Sequence, residues 1–97
     1  MHIITRKRII EFGKKYPDTV SALDNWYRIV KSTDFKNFTH LKDTFNSVDK
    51  VGELTVFNIG GNKVRLIVAI HYNRKKMYIR GVLTHREYDK RDWKKQL

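Results

Sequence analysis

The sequence predicts an α+β domain, in which an antiparallel sheet (a short N-terminal strand plus a three-stranded meander) carries two N-terminal helices packed on one face. Three observations carry this. The stretch from Leu54 to Tyr88 alternates apolar and polar residues in three runs separated by two turn signals. Val20, Leu23, Tyr27 and Val30 recur at helical spacing. Pro17 separates that helix from a basic helical segment before it. The chain has 97 residues, enough for one modest core, and is read as a single domain over 1–97. A 40% hydrophobic and 12% aromatic content argues against disorder.

Taken in order, His2-Ile3-Ile4 is a strand candidate, with Thr5 as the N-cap of a first helix. Arg6 to about Tyr16 forms that helix, with Ile9, Ile10 and Phe12 inward. Pro17 can open the second helix, where its missing N–H costs nothing, and Asp18 suits the dipole of that first turn. Trp26 and Ile29 widen the apolar stripe of this helix, which ends near Lys31-Ser32. In the less regular segment Thr33 to Gly52, Thr39 could cap a short helix through Phe45, while Phe35, Phe38 and Val48 pin the chain to the sheet.

Gly60-Gly61 marks the first hairpin turn, since tight hairpins need positive φ. A two-residue turn there sets Ile59 against Asn62, Asn58 against Lys63 and Phe57 against Val64. The second turn, Asn73 to Lys76, sets Tyr72 against Met77, and the ladder then brings Ala69 to Arg80, Ile67 to Val82 and Arg65 to Thr84. Alternation assigns Phe57, Ile59, Val64, Leu66, Val68, Ile70, Met77, Ile79 and Leu83 to a core face. The opposite face holds Asn58, Lys63, Arg65, Ala69, His71, Tyr78, Arg80 and Thr84, an open electropositive surface. On this register Arg65 is the arginine closest to His85 and Tyr88.

Charge narrows the function. The formal net charge is +11, and residues 63–97 hold eleven Lys/Arg against three Asp/Glu. Such a chain is drawn to polyanions, although a solvated surface is the plainer alternative. With no cysteine, disulfides and thiolate zinc sites are excluded. No signal-peptide core or membrane-length apolar run is present, which suits a soluble cytoplasmic protein.

The end of the meander offers Arg65, Arg80, His85 and Tyr88 as candidate catalytic residues. Glu87 and Asp89 are the only acids nearby, so a magnesium-dependent nuclease is disfavoured and no metal or cofactor is expected. RNA carries its own nucleophile in the 2′-OH. Arginines can stabilise the charge that builds on the phosphate, and histidine or tyrosine can move the proton. Lys63, Arg74, Lys75, Lys76, Arg86, Lys94 and Lys95 are the candidate RNA-binding cations. Each of these residues also has a plainer reading: His85 as the end of a strand, Tyr88 as half-buried packing, the cations as solvated surface.

FNIGGNKVRLIVAIHY, followed by MYIRGVLTHREYD, resembles the HigB family of toxins from bacterial toxin–antitoxin pairs, within the RelE-like fold group. MHIIT, YPD and DFKNF extend the resemblance over nearly the whole chain. It implies a compact RelE-like fold and an mRNA endonuclease (an mRNA interferase), often acting on ribosome-bound message to inhibit translation. It also implies a HigA-like helix-turn-helix antitoxin as partner, through which the pair would contact operator DNA. The general base stays open between His85, Tyr88 and a lysine. The competing readings are a non-catalytic RNA- or ribosome-binding module and, weakest for want of a helix-turn-helix pattern, a DNA-binding regulator.

Overall fold

The computed structural model describes all residues except Asn62, Arg91, Asp92 and Leu97, together with the backbone but not the side chains of Lys95 and Gln96. Strand β1 (His2–Ile4) leads into α1 (Arg6–Lys15), a 3-10 turn at Pro17–Thr19, α2 (Val20–Lys31) and α3 (Phe38–Thr44). Strands β2 (Asp49–Val51), β3 (Leu54–Ile59), β4 (Val64–His71) and β5 (Lys76–Thr84) come next, then the short helices α4 (His85–Asp89) and α5 (Trp93–Gln96). The sheet order is β1-β5-β4-β3-β2. No helix among the described residues is long and apolar enough to cross a membrane.

The α+β class and the helices on one face hold, with two differences in the sheet. β1 pairs with β5 in parallel, His2 opposite Lys76, so the sheet is mixed. A fifth strand, β2, pairs antiparallel with β3 around Gly52, whose φ of +60° supplies the left-handed turn. β2 is short and largely exposed, without the apolar alternation that would have marked it.

The helix layer rests on a core of Leu23, Trp26, Val30, Phe35, Leu41, Phe57, Leu66, Val68 and Met77, all essentially inaccessible. Trp26 and Phe45 meet Phe57 edge-on at 5.3 and 5.2 Å between ring centroids, the favoured aromatic geometry. Ile9 and Phe12 point inward as expected, whereas Ile10 and Val20 stay exposed. Thr5 does stand at the N-cap of α1, but in the left-handed region at φ 75° and with no capping hydrogen bond from its side chain. The cap of α3 is Asn37, two residues ahead of Thr39; its side chain accepts from the His40 N–H at 2.9 Å.

Both hairpin turns are longer than the tightest possible ones. Gly60 and Gly61 are both left-handed, as the turn demands, but the strands resume at Ile59 opposite Val64. Asn62, expected opposite Ile59, lies outside the described residues. At the second turn a 3-10 segment, Tyr72–Arg74, and a left-handed Lys75 set His71 opposite Lys76. Each change shifts the register by two, which keeps every side chain on its face.

The consequential difference is a β-bulge. Ile67 pairs with Gly81 and Val68 with Ile79, so Arg80 is the extra residue. Beyond it the faces exchange. Val82 joins the helix-side core, while Leu83, expected there, turns to the opposite face as the partner of Arg65. Thr84 stands opposite Val64, not Arg65.

That opposite face is not uniformly open. Val56, Ile67 and Trp93 form a second buried cluster, with Val51, Leu54, Leu83 and Tyr88 against it. α5 thus roofs one end of the face through Trp93, which is 5% exposed.

Candidate active site

The capping box at the start of α4 fixes where the candidate residues lie. The Thr84 side chain accepts from the Glu87 N–H at 3.2 Å, and the Glu87 carboxylate accepts from the Thr84 N–H at 2.9 Å. The chain therefore turns sharply from β5 into helix. His85 and Tyr88, three residues apart, share one side of that helix and face β4.

Arg65 is the hub. It lies opposite Asn58 in the β3–β4 pairing, and its Nη1 donates to Asn58 Oδ1 at 2.5 Å. Its Nη2 lies 3.0 Å from His85 Nδ1, and its Cζ sits 5.6 Å from the centre of the Tyr88 ring. Beyond His85, the Nε2 atom lies 3.1 Å from Asp89 Oδ2, a contact between successive turns of α4. Tyr88 stacks on Trp93 at 5.1 Å with an 18° interplanar angle, and Trp93 Nε1 donates to the Tyr88 carbonyl at 3.0 Å.

The roles of the two His85 ring nitrogens are assigned from their partners. A guanidinium can only donate, so Nδ1 of His85 accepts, and its proton lies on Nε2, directed at Asp89. The result is a chain Asn58–Arg65–His85–Asp89. His85 is half exposed, so a ligand can reach it. Arg65 is half-buried, held from the side by Tyr88, which leaves a cation with restricted rotamers at the sheet surface.

Of the four candidate catalytic residues, three therefore converge: Arg65, His85 and Tyr88. Arg80 sits on the bulge three residues before Leu83, about 10 Å along the strand from the level of Arg65. It is exposed, and its carbonyl accepts from Arg8 Nη1 at 2.8 Å. The candidate RNA-binding cations are spread more widely. Lys63 pairs with Asp18 at 3.3 Å beside the first hairpin turn, and Lys75 approaches Asp34 at 3.6 Å. Arg74, Lys75 and Lys76 crowd the β4–β5 turn, at the far end of β5 from α4. Arg86 is exposed on α4, and Lys94 lies over the Trp93 ring at 5.8 Å, beside Tyr88 and Asp89. The Lys95 side chain lies outside the described residues.

Sequence reasoning passed over Asn58, Asp89 and Trp93 as parts of the site. Asn58 was within reach, because the two-residue shift at Gly60-Gly61 places it opposite Arg65. Asp89 stands four residues after His85, the spacing of successive helical turns, once the segment is seen as a helix. Trp93 had an indirect signal: Val56 and Ile67 fall on the polar face and needed a cover.

Chemically, the arrangement offers a fixed cation, an imidazole whose outer nitrogen is backed by a carboxylate, and aromatic surface for a base. Among the described residues, no three or more His, Cys, Asp or Glu side chains come together.

The model of the HigB toxin family, described as the RelE-like toxic component of a toxin–antitoxin system, matches residues 19–91. The mRNA interferase HigB of Escherichia coli O6:H1 (strain CFT073) is 33% identical over 93 residues, covering 93% of this chain and 90% of that protein. The mRNA interferase toxin HigB of Escherichia coli K12 is 37% identical over 92 residues, covering 92% and 88%. The mRNA interferase HigB of Shigella flexneri matches to the same extent.

Proposed function

This chain belongs to the HigB family, the RelE-like toxic components of toxin–antitoxin systems, and on that premise we propose that it is an endoribonuclease that cuts messenger RNA at the Arg65–His85 site. The observation that carries the site assignment is the hydrogen-bonded chain from Arg65 through His85 to Asp89.

The reaction is transfer within the RNA. The 2′-oxygen attacks the neighbouring phosphorus, the bond to the 5′-oxygen breaks, that oxygen takes a proton from water, and a 2′,3′-cyclic phosphate and a 5′-hydroxyl result. No metal ion takes part in these steps. Arg65 is the phosphate ligand, because its planar fork matches two phosphate oxygens and the developing negative charge falls where its donors point. One of those donors is engaged with His85 Nδ1. A phosphate that draws the guanidinium to itself releases the Nδ1 lone pair, which then takes the 2′-OH proton. Asp89, bonded to Nε2–H, stabilises the imidazolium that forms and holds the ring's orientation. Tyr88, stacked on Trp93 and packed beside Arg65, is a positioning residue for the guanidinium. Arg80 and the cations Lys63, Arg74, Lys75, Lys76, Arg86, Lys94 and Lys95 hold the rest of the RNA strand.

The +11 charge suits message held on a ribosome, and translation stops when that message is cut. A cognate HigA-like antitoxin with a helix-turn-helix fold neutralises the toxin and carries the pair to operator DNA. The test is induced expression in a bacterium with message ends mapped across the transcriptome. Growth arrest and new ends within coding regions are expected. Normal growth and intact messages, with the folded protein accumulated, would favour the non-catalytic RNA- or ribosome-binding alternative and sink the nuclease.

A further inference from the structure

The face of the molecule opposite the active site carries an apolar groove between α1 and α2. Its floor includes Ile9, Ile10, Val20 and Leu23, and its volume is about 290 Å³. Ile10 is 47% exposed and Val20 41%, and they are the exposed large hydrophobic residues among those described. Nothing in the fold requires them to be apolar. The core beneath is complete, since Ile9 and Leu23 are buried at 5% and 1%. The two helices are drawn together at Gly13, where an added Cβ would meet Val20 Cγ2 at 3.0 Å, so the groove is a consequence of close packing.

We infer that this groove is the anchor site for the antitoxin, and that its occupant is an amphipathic helix with aliphatic anchors flanked by acidic residues. The identification of an antitoxin as the occupant rests on the toxin reading above.

Three features choose this occupant. The rim is cationic along α1, which carries five Lys/Arg against one Glu; at the groove itself Arg6 and Lys14 outnumber the one acid, Asp24 of α2. An acidic helix complements it, and a second copy of this +11 chain does not. The mode is helix-in-groove because the sheet offers little edge: β1 and β2, the two edge strands, have three residues each. The volume lies at or below the usual range for small-molecule sites, about 300–1,000 Å³, and suits a few anchoring side chains within a wider contact. The groove sits on the helix layer, whereas Arg65, His85 and Tyr88 lie across the sheet. Variants in the groove therefore leave the catalytic residues untouched.

The test measures affinity of the full-length toxin for its cognate antitoxin, by calorimetry or by displacement, for wild type, Ile10→Glu, Val20→Glu and Lys14→Glu. Both apolar positions are already exposed, so the charged variants should fold, and their thermal melting is checked alongside. Affinity is expected to fall about tenfold or more for each apolar variant, as for a buried anchor residue, and less for Lys14→Glu. In cells, Ile10→Glu should stay toxic but escape neutralisation. Unchanged affinity for both folded apolar variants overturns the inference, as does wild-type self-association that Ile10→Glu abolishes without altering antitoxin binding. Loss of affinity with no toxicity in any form, wild type included, would instead refute the nuclease reading and leave the docking site standing.

Discussion

Arg65→Ala is expected to lower message cleavage about 10²–10³-fold, the loss seen when one preorganised donor to a developing oxyanion is removed, roughly 3–4 kcal/mol in the transition state. The effect should be larger than for any other single cation of the surface. Arg65 is tied both to the base and to the sheet, through His85 Nδ1 and Asn58 Oδ1. Arg65→Lys should recover only part of the activity, since a lysine keeps the charge but loses the planar fork and cannot bridge the same two partners. Cleavage assayed beside thermal melting separates chemistry from folding, because Arg65 stands outside the helix-side core. An Arg65→Ala protein that melts like wild type and cuts at more than half its rate would remove Arg65 from the mechanism.

Phe57→Ala should destabilise the fold by about 3–5 kcal/mol, the range for deleting a buried aromatic ring. Phe57 is 1% exposed and receives the edges of both Trp26 and Phe45, so the cavity would open where α2, the end of α3 and the sheet all meet. A loss that large is a substantial share of the stability of a small domain. Urea denaturation provides the number, and a midpoint within experimental scatter of wild type would show that the helix layer does not depend on this contact.

The sequence yielded those parts of the structure that a strong local period controls. The stripe of Leu23, Tyr27 and Val30 on α2 and the alternation of Phe57, Leu66 and Val68 placed the main core. The paired glycines located the first turn; lengthening that turn by two residues and moving the second by one each shifted the register by two without moving a side chain to the other face. Arg80 marks where legibility stopped. The one mark of a bulge in the run Tyr78-Ile79-Arg80-Gly81 is the strand glycine Gly81, which does not say which residue is extra, yet that residue exchanged Val82 with Leu83 and moved Thr84 away from Arg65. Arg65 nonetheless meets His85, because the capping box of Thr84 and Glu87 bends the chain back over β4. That box is visible as a Thr-x-x-Glu spacing, but the same residues also fit the polar end of a strand. The two C-terminal helices and the Trp93 roof went unseen for a related reason: four- and five-residue helices are too short to display a period.

The central claim is that Arg65 and His85 direct the RNA's own 2′-OH at its phosphate. The most direct measurement is the chemistry of the cut ends when the purified protein acts on message in a reconstituted translation reaction. The account predicts a 5′-hydroxyl on the downstream fragment, which must be phosphorylated before it can be ligated, and a 2′,3′-cyclic phosphate or its opened 3′-phosphate upstream. A 5′-phosphate with a free 3′-hydroxyl would mean that water, not the 2′-oxygen, attacked the phosphorus, and would contradict it.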